Sequence, residues 1–187
     1  LIAGKTAECR ETLLRLERRM TELERLGKEL AKPKKMEKAF IKELPAVVVA
    51  SHRRVVRGYD ELFDLCPNVI GPEMARLGCE CSEPGYCFTI DHTCEFRERD
   101  IDIEYCEAVT ERKEESELIE FKELEAVPTA VCMYHRGNYD TLPQTFAELY
   151  AYVEKEGYKL AGSPRFSYID GIWNKDSEEE WLTEIQI

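Results

Sequence analysis

The alternation of apolar and polar side chains is most regular in the closing segment, residues 181–187. Consecutive side chains of a β-strand point to opposite faces, and the predominantly apolar members of this segment share one face. They are Trp181, Thr183, Ile185 and Ile187. The opposite face carries Glu184 between Leu182 and Gln186. The pattern therefore predicts a strand with one core-facing side and one side that presents a carboxylate.

Further strands and helices are predicted upstream of this segment. Apolar, β-branched runs bounded by proline or by charged turns predict strands, and they occur at residues 42–50, 86–91, 101–109 and 122–130. In residues 142–157 apolar side chains recur at helical spacing, which predicts a helix that ends at Gly157. Two short helices are predicted at 59–66, stopped by Pro67, and at 72–77, closed by Gly78.

The chain contains an internal repeat with an offset of 80 residues. Residues 42–62 and 122–142 share nine identities over 21 positions. The same offset pairs Glu104 with Glu184, and Phe88 with Tyr168. Each copy is expected to be strand, helix, strand, strand, in modules of about 39–110 and 117–187. The predicted fold class is α+β, one antiparallel sheet with helices on one face and an open saddle on the other.

Residues 1–31 have the pattern of a coiled coil. Apolar side chains recur in steps of four and three with charged residues between them. They are Cys9, Leu13, Leu16, Met20, Leu23 and Leu30. We expect an N-terminal domain, residues 1–38, whose coiled-coil helix forms a homodimer, followed by a ligand-binding domain at 39–187. The alternative is a single amphipathic helix that packs on its own domain.

The distribution of charge agrees with this boundary. Residues 1–38 hold 11 basic and 7 acidic side chains, whereas the whole chain has a net charge of −12. Because an acidic chain repels a phosphate backbone, we expect DNA contact only through a domain that this chain lacks. The sequence starts with Leu rather than Met, which suggests a longer gene product. Without a membrane-spanning run or secretory signal, the expected location is the cytoplasm.

Eight cysteines raise the question of a metal site. The densest group of possible ligands is Cys79, Cys81, Cys87, His92 and Cys94. Its spacings differ from the paired Cys-x2-Cys pattern of zinc sites, so we expect free thiols, no metal and no cofactor. No nucleophile–base pair or glycine-rich phosphate loop is recognisable either.

Glu184 and its counterpart Glu104 are the candidate ligand contacts, since both are expected on the open face of the sheet. The candidate aromatic neighbours are Phe88, Tyr105, Tyr134, Tyr139, Tyr168 and Trp173. A carboxylate among aromatic rings attracts a hydrophobic cation, because burial disfavours its charge and ring faces add cation–π attraction. With a pKa near neutrality it can act as a general acid or base instead. A solvated Glu184 is the ordinary alternative.

Three motifs resemble the GyrI-like small-molecule-binding domain. They are Lys42-Glu43-Leu44-Pro45-Ala46, Tyr134-His135-Arg136-Gly137-x-Tyr139 and Trp181-x-Thr183-Glu184-Ile185-x-Ile187. The resemblance implies two modules that share a pocket with Glu184 at its floor. Multidrug-sensing members bind lipophilic cations among aromatic residues, which would implicate Tyr134, Tyr139, Tyr168 and Trp173 here.

The helix that precedes these motifs is similar to the linker helix of MerR-type transcription regulators. Such regulators dimerise through that helix and bind DNA through a winged helix-turn-helix, which this sequence does not contain. The expected function is therefore effector sensing in a MerR-type regulator. Two alternatives within the same fold stay open: an enzyme that hydrolyses cyclopropanoid compounds with Glu184 as general acid or base, and a protein-binding inhibitor.

Overall fold

The computed structural model describes residues 19–20, 38–93, 97 and 99–187. Residues Glu37–Ile187 form one compact unit. The predicted coiled-coil helix lies outside the described residues except for Arg19 and Met20, which are helical. Within the described ranges, no helix is both long and apolar enough to cross a membrane.

The compact unit is an eight-stranded antiparallel sheet with helices. Its strands are β1 Phe40–Leu44, β2 Val47–Val56, β3 Cys87–Asp91, β4 Ile101–Ala108, β5 Glu120–Leu124, β6 Val127–Arg136, β7 Arg165–Asp170 and β8 Leu182–Gln186. The α-helices are α1 Leu62–Leu65, α2 Gly71–Arg76 and α3 Leu142–Lys155, and 3₁₀ turns lie at Tyr59–Glu61, Tyr139–Thr141 and Glu178–Glu180. Across the sheet the strand order is β1-β6-β8-β7-β3-β4-β2-β5.

Two short connections force this sheet to curl. β1 and β2 occupy the first and seventh positions of the sheet, which would lie roughly 29 Å apart in a flat sheet with about 4.8 Å between strands. Only Pro45 and Ala46 join them, and a link of that length spans at most about 11 Å. Glu125 and Ala126 impose the same limit between β5 and β6. The sheet therefore has an inner face and an outer face.

The predicted repeat is visible in the strands. β5 and β6 lie 80 residues after β1 and β2, residue for residue. The strand expected at 42–50 is in fact two strands, because β1 pairs with β6 of the second module whereas β2 pairs with β4 of its own. β5 likewise pairs with β2 of the first module. Each module thus contributes its first strand to the other half of the sheet.

The helices cover the outer face, which we call the helix face. Leu149 and Val153 of α3 pack on a cluster of sheet residues that includes Val131, Met133, Phe166 and Ile185. Leu65, Ile70 and Met74 pack on Ala50 and Phe121. The inner face is filled by strand side chains instead, among them the fully buried Phe88, Cys106 and Cys132. The prediction of an open saddle on this face was therefore wrong, since curling brings its side chains together.

The helix of the first module is not stopped by Pro67 as predicted. α1 continues through a π-helical segment, Cys66–Ile70, into α2. Proline lacks the N–H that an uninterrupted α-helix needs, and a wider π turn occurs at this break. α3 ends as predicted before Gly157, whose φ of 78° suits glycine.

Candidate functional site

A cavity of 1380 Å³ opens on the helix face between the helices of the two modules. Side chains of three central strands form its floor: Cys87, Thr89, Asp91, Tyr105, Glu107, Phe166 and Tyr168. The walls come from the first-module helix and from α3, and include Leu62, Phe63, Cys66, Pro67, Pro143, Phe146, Ala147 and Tyr150. Ligand pockets are typically about 300–1,000 Å³, so this space can hold a molecule with several rings.

The strand register determines which residues form the floor. Thr89 lies opposite Tyr105 on β4 and opposite Phe166 on β7. Residues directly opposite each other in neighbouring strands share a face of the sheet. Because Leu149 packs with Phe166, this face is the one that the helices cover. The cavity is the part of that face left uncovered between the two modules.

Aromatic rings from both modules meet at one end of the cavity. Phe63 stacks on Tyr139 with 5.8 Å between ring centroids, and Tyr139 meets Tyr168 edge-on at the same distance. The Tyr168 hydroxyl and Thr89 Oγ1 are 3.0 Å apart. Burial raises the pKa of Tyr139 to about 12. The hydroxyl therefore stays neutral at physiological pH, and the ring offers an uncharged aromatic surface.

Glu107 is a half-buried carboxylate in the floor. The Tyr105 hydroxyl donates a hydrogen bond to Glu107 Oε2 at 3.0 Å, and Cys87 Sγ donates to the Tyr105 hydroxyl at 3.3 Å. Burial raises the pKa of Glu107 above its usual value, and the hydrogen bonds from Tyr105 and Cys87 only partly oppose this. No lysine or arginine of the described residues forms an ion pair with Glu107.

Glu184 and Glu104 lie on the inner face, and a lysine neutralises each of them. Lys42 Nζ is 2.5 Å from Glu184 Oε1, and Lys122 Nζ is 2.5 Å from Glu104 Oε1. We call these two ion pairs the Lys–Glu clasps. Each joins the first strand of one module to the last strand of the other. Both carboxylates are 3% exposed, so the lysines supply the positive charge that burial requires.

Further polar contacts hold the two clasps. Gln186 Nε2 donates to Glu184 Oε1 at 2.7 Å, and His92 Nε2 lies 2.9 Å from Glu104 Oε2. Burial alone would raise the pKa of Glu104, but hydrogen bonds from Lys122 and His92 outweigh it, so that pKa lies below its usual value. The first-module carboxylate is therefore ionised throughout the physiological range.

The sequence profile described as "GyrI-like small molecule binding domain" matches residues 38–187. The chain belongs to the GyrI-like family. No curated protein sequence matches the chain significantly.

Solved structures agree with the assignment to GyrI-like domains. The crystal structure of the EcmrR C-terminal domain is 41% identical, with a TM-score of 0.77, and the match covers 81% of this chain and 96% of that one. A cryo-electron microscopy structure of an EcmrR–DNA complex is 35% identical with a TM-score of 0.79, covering 100% of this chain and 70% of that one. An uncharacterised conserved protein from Listeria innocua shares the fold alone, at 14% identity and a TM-score of 0.53, over 87% of this chain and 96% of that one.

The predicted site residues of this GyrI-like domain divide between the two faces. Four of them line the cavity on the helix face: Tyr105, Tyr139, Tyr168 and Trp173. The other four lie on the inner face: Glu184, Glu104, Tyr134 and Phe88. Tyr134 sits directly opposite Glu184 in the β6–β8 pair. A ligand contact at Glu184 stays a prediction, and its carboxylate faces away from the cavity.

Strand alternation explains the division. Glu104 and Tyr105 are neighbours on β4, so their side chains point to opposite faces and cannot line one pocket. The offset of 80 also misleads in the third strand of each module. Ile90 lies opposite Glu104 and Ser167 lies opposite Glu184, which makes the offset there 77. An odd change of three residues reverses the face, so Phe88 and Tyr168 are not equivalent.

Sequence reasoning missed several residues of the cavity. Glu107 could have been found from alternation along β4, where it shares a face with Tyr105 rather than with Glu104. Phe63 and Tyr150 lie on helices that were expected only to pack on the sheet, and no local signal separates their exposed rings from core residues. The group of cysteines and His92 that was weighed as a zinc site is divided in the structure: His92 contacts Glu104 on the inner face, Cys87 faces the cavity and Cys94 is outside the described residues.

Proposed function

We propose that this chain is the effector-sensing part of a MerR-type transcription regulator that binds a small hydrophobic, cationic molecule in the helix-face cavity. The observation that carries the proposal is the large aromatic cavity between two modules of a GyrI-like domain. The similarity to EcmrR, a protein solved as a complex with DNA, supports the regulator context.

The charge of the cavity lining favours a cation over an anion. Five carboxylates and one guanidinium occur among the lining residues, namely Asp60, Asp91, Glu107, Asp140 and Glu154 against Arg97. Aromatic faces at Tyr139 and Tyr168 add cation–π attraction of about 0.5–2 kcal/mol per contact. A hydrophobic cation would use both features together, whereas an anion would meet net negative charge.

The net charge of −12 opposes contact between this chain and DNA phosphates. We therefore assign DNA binding to another domain of the regulator and expect it to act in the cytoplasm as a homodimer. The hydrolase alternative, with Glu184 as general acid or base, stays a prediction. Glu184 lies on the inner face and does not line the cavity.

The cavity assignment can be tested with a matched pair of tyrosines. Tyr150 lines the cavity and is 38% exposed, whereas Tyr158 is 41% exposed and lies outside it. We expect Tyr150→Ala to weaken binding of the aromatic cation ethidium by about three- to tenfold, as expected for a lost aromatic contact. Fluorescence titration of the whole chain measures this, with Tyr158→Ala as the control. Equal affinities for the two variants would contradict the cavity assignment.

A further inference from the structure

Glu107 differs from every other carboxylate that lines the cavity. Asp60, Asp140 and Glu154 are exposed to solvent, where water screens their charge. Both carboxylate oxygens of Asp91 accept hydrogen bonds: the Tyr59 hydroxyl donates to Oδ2 at 2.9 Å, and the Thr93 N–H donates to Oδ1 at 2.8 Å. Glu107 lies half-buried in the floor, where burial raises its pKa, and its hydrogen-bond donors are the neutral Tyr105 hydroxyl and Cys87 thiol rather than a cation.

Elsewhere in the same fold, two buried carboxylates each form an ion pair with a lysine. On the inner face, Lys42 and Lys122 each bring an ammonium group to a glutamate. Glu107 lies three residues beyond Glu104 on the same strand, so its side chain points to the opposite face. There it lies among Tyr105, Cys66 and Cys87, without a cationic partner. Leaving a half-buried carboxylate unpaired costs stability, unless a ligand supplies the positive charge.

We propose that Glu107, rather than Glu184, is the counter-ion for the cationic group of the effector, an inference that rests on the proposed function. The ligand class is an organic monocation with aromatic substituents, its charge beside Glu107 and the Tyr105 ring and its apolar part towards Tyr139 and Tyr168. Tyr105 acts as a positioning residue, because its hydrogen bond to Oε2 orients the carboxylate in the cavity floor.

The contact makes cation binding depend on pH. Burial holds the pKa of Glu107 above the ordinary value of about 4.3. Only the ionised form attracts a cation, so affinity for a permanently charged ligand falls as the pH is lowered towards that raised pKa. The other titratable groups near Glu107 are Tyr105, Cys87, Cys66 and Cys81. Burial raises the pKa of all four, so they stay neutral through this range.

Two dyes separate charge recognition from hydrophobic binding. Ethidium carries a permanent positive charge, and Nile red is a neutral aromatic dye of similar size. In the full chain we expect Glu107→Gln to weaken ethidium binding more than tenfold, the scale of a charge-assisted contact, while Nile red affinity changes less than threefold. Ethidium affinity should rise from pH 5 to pH 8 for the unchanged chain and stay flat for Glu107→Gln.

Two further variants make the result specific. Glu123 is an exposed residue of β5, so Glu123→Gln removes the same charge outside the cavity and should leave both affinities unchanged. Unchanged ethidium affinity in Glu107→Gln, or a tenfold loss in Glu184→Gln with none in Glu107→Gln, overturns the assignment of Glu107 while effector binding stands. An unchanged chain that binds neither dye overturns the proposed function and the role of Glu107 with it.

Discussion

Glu107 and Glu184 are both acids of the central strands, and their neighbours give them opposite roles. Glu184 is 3% exposed and bonded to Lys42 and Gln186, so its charge is satisfied within the protein. Glu107 receives hydrogen bonds from Tyr105 and Cys87, which are both neutral, and no cation from the described residues. A residue that lowers the stability of the free protein while lining its cavity is typical of a binding site.

Replacing Glu107 should stabilise the free protein. The folded state raises the pKa of Glu107, so ionisation above the ordinary value near 4.3 costs stability, and the cost is complete above the folded-state pKa. We expect Glu107→Gln to increase the free energy of unfolding at pH 8 by up to about 1 kcal/mol. The gain should disappear below pH 4, where both states are protonated.

Urea unfolding at pH 8 and pH 4 measures this difference. Glu123→Gln is the control, because Glu123 is exposed and should have no effect at either pH. A Glu107→Gln variant that is less stable than the unchanged chain at pH 8 would show that the carboxylate is satisfied in the folded state.

At the scale of elements, the Lys–Glu clasps connect strands that are not neighbours. Lys42 on β1 reaches across β6 to Glu184 on β8, and Lys122 on β5 reaches across β2 to Glu104 on β4. The offset of 80 relates the two lysines as well as the two glutamates. The sequence therefore contained the information for this pairing, but only the exchange of first strands between modules brings each lysine to the other module's glutamate.

Breaking one clasp should destabilise the domain. Lys42→Met leaves the Glu184 carboxylate buried without its cation, and we expect a loss of about 1–3 kcal/mol in the free energy of unfolding. This is less than for a fully buried pair because the Lys42 side chain is 38% exposed. The double variant Lys42→Met/Glu184→Gln should recover part of the loss. Urea unfolding of the unchanged chain, Lys42→Met, Glu184→Gln and the double variant gives the coupling, and additive effects would contradict the clasp.

At the scale of the whole molecule, the dimer predicted from residues 1–38 can be tested directly. The heptad pattern of the sequence predicts Leu16 in the apolar seam and Glu17 beside it, so Leu16→Lys should disrupt the dimer and Glu17→Lys should not. Light scattering of the 21.7 kDa chain should give twice that mass for the unchanged protein and a single chain mass for Leu16→Lys. A monomeric unchanged chain would contradict the coiled-coil prediction.

The curled sheet explains why open space is found on the helix face rather than on the inner face, where it was expected. Alternation along β8 predicts that Glu184 points away from the helices. Its neighbour Ile185 pairs with Met133, and both pack on α3, so Glu184 points to the other face as predicted. The inner face was expected to be open, because helices were predicted on the other face only. The links at Pro45–Ala46 and Glu125–Ala126 curl the sheet and fill that face, so the free space lies between the helices instead.

The sequence by itself determined the duplication, the alternating faces of the strands, and a helix that begins at Leu142 and ends before Gly157, because these depend on local periodicity and backbone preference. It also supported the GyrI-like family through motifs that lie on β1, β6 and β8. Tertiary structure decided which strand each first strand pairs with, how far the sheet curls, and which side holds the cavity. Those outcomes depend on contacts between residues far apart in the sequence, such as the one between Lys42 and Glu184. The same long-range contacts leave Glu107 facing the cavity without a cation.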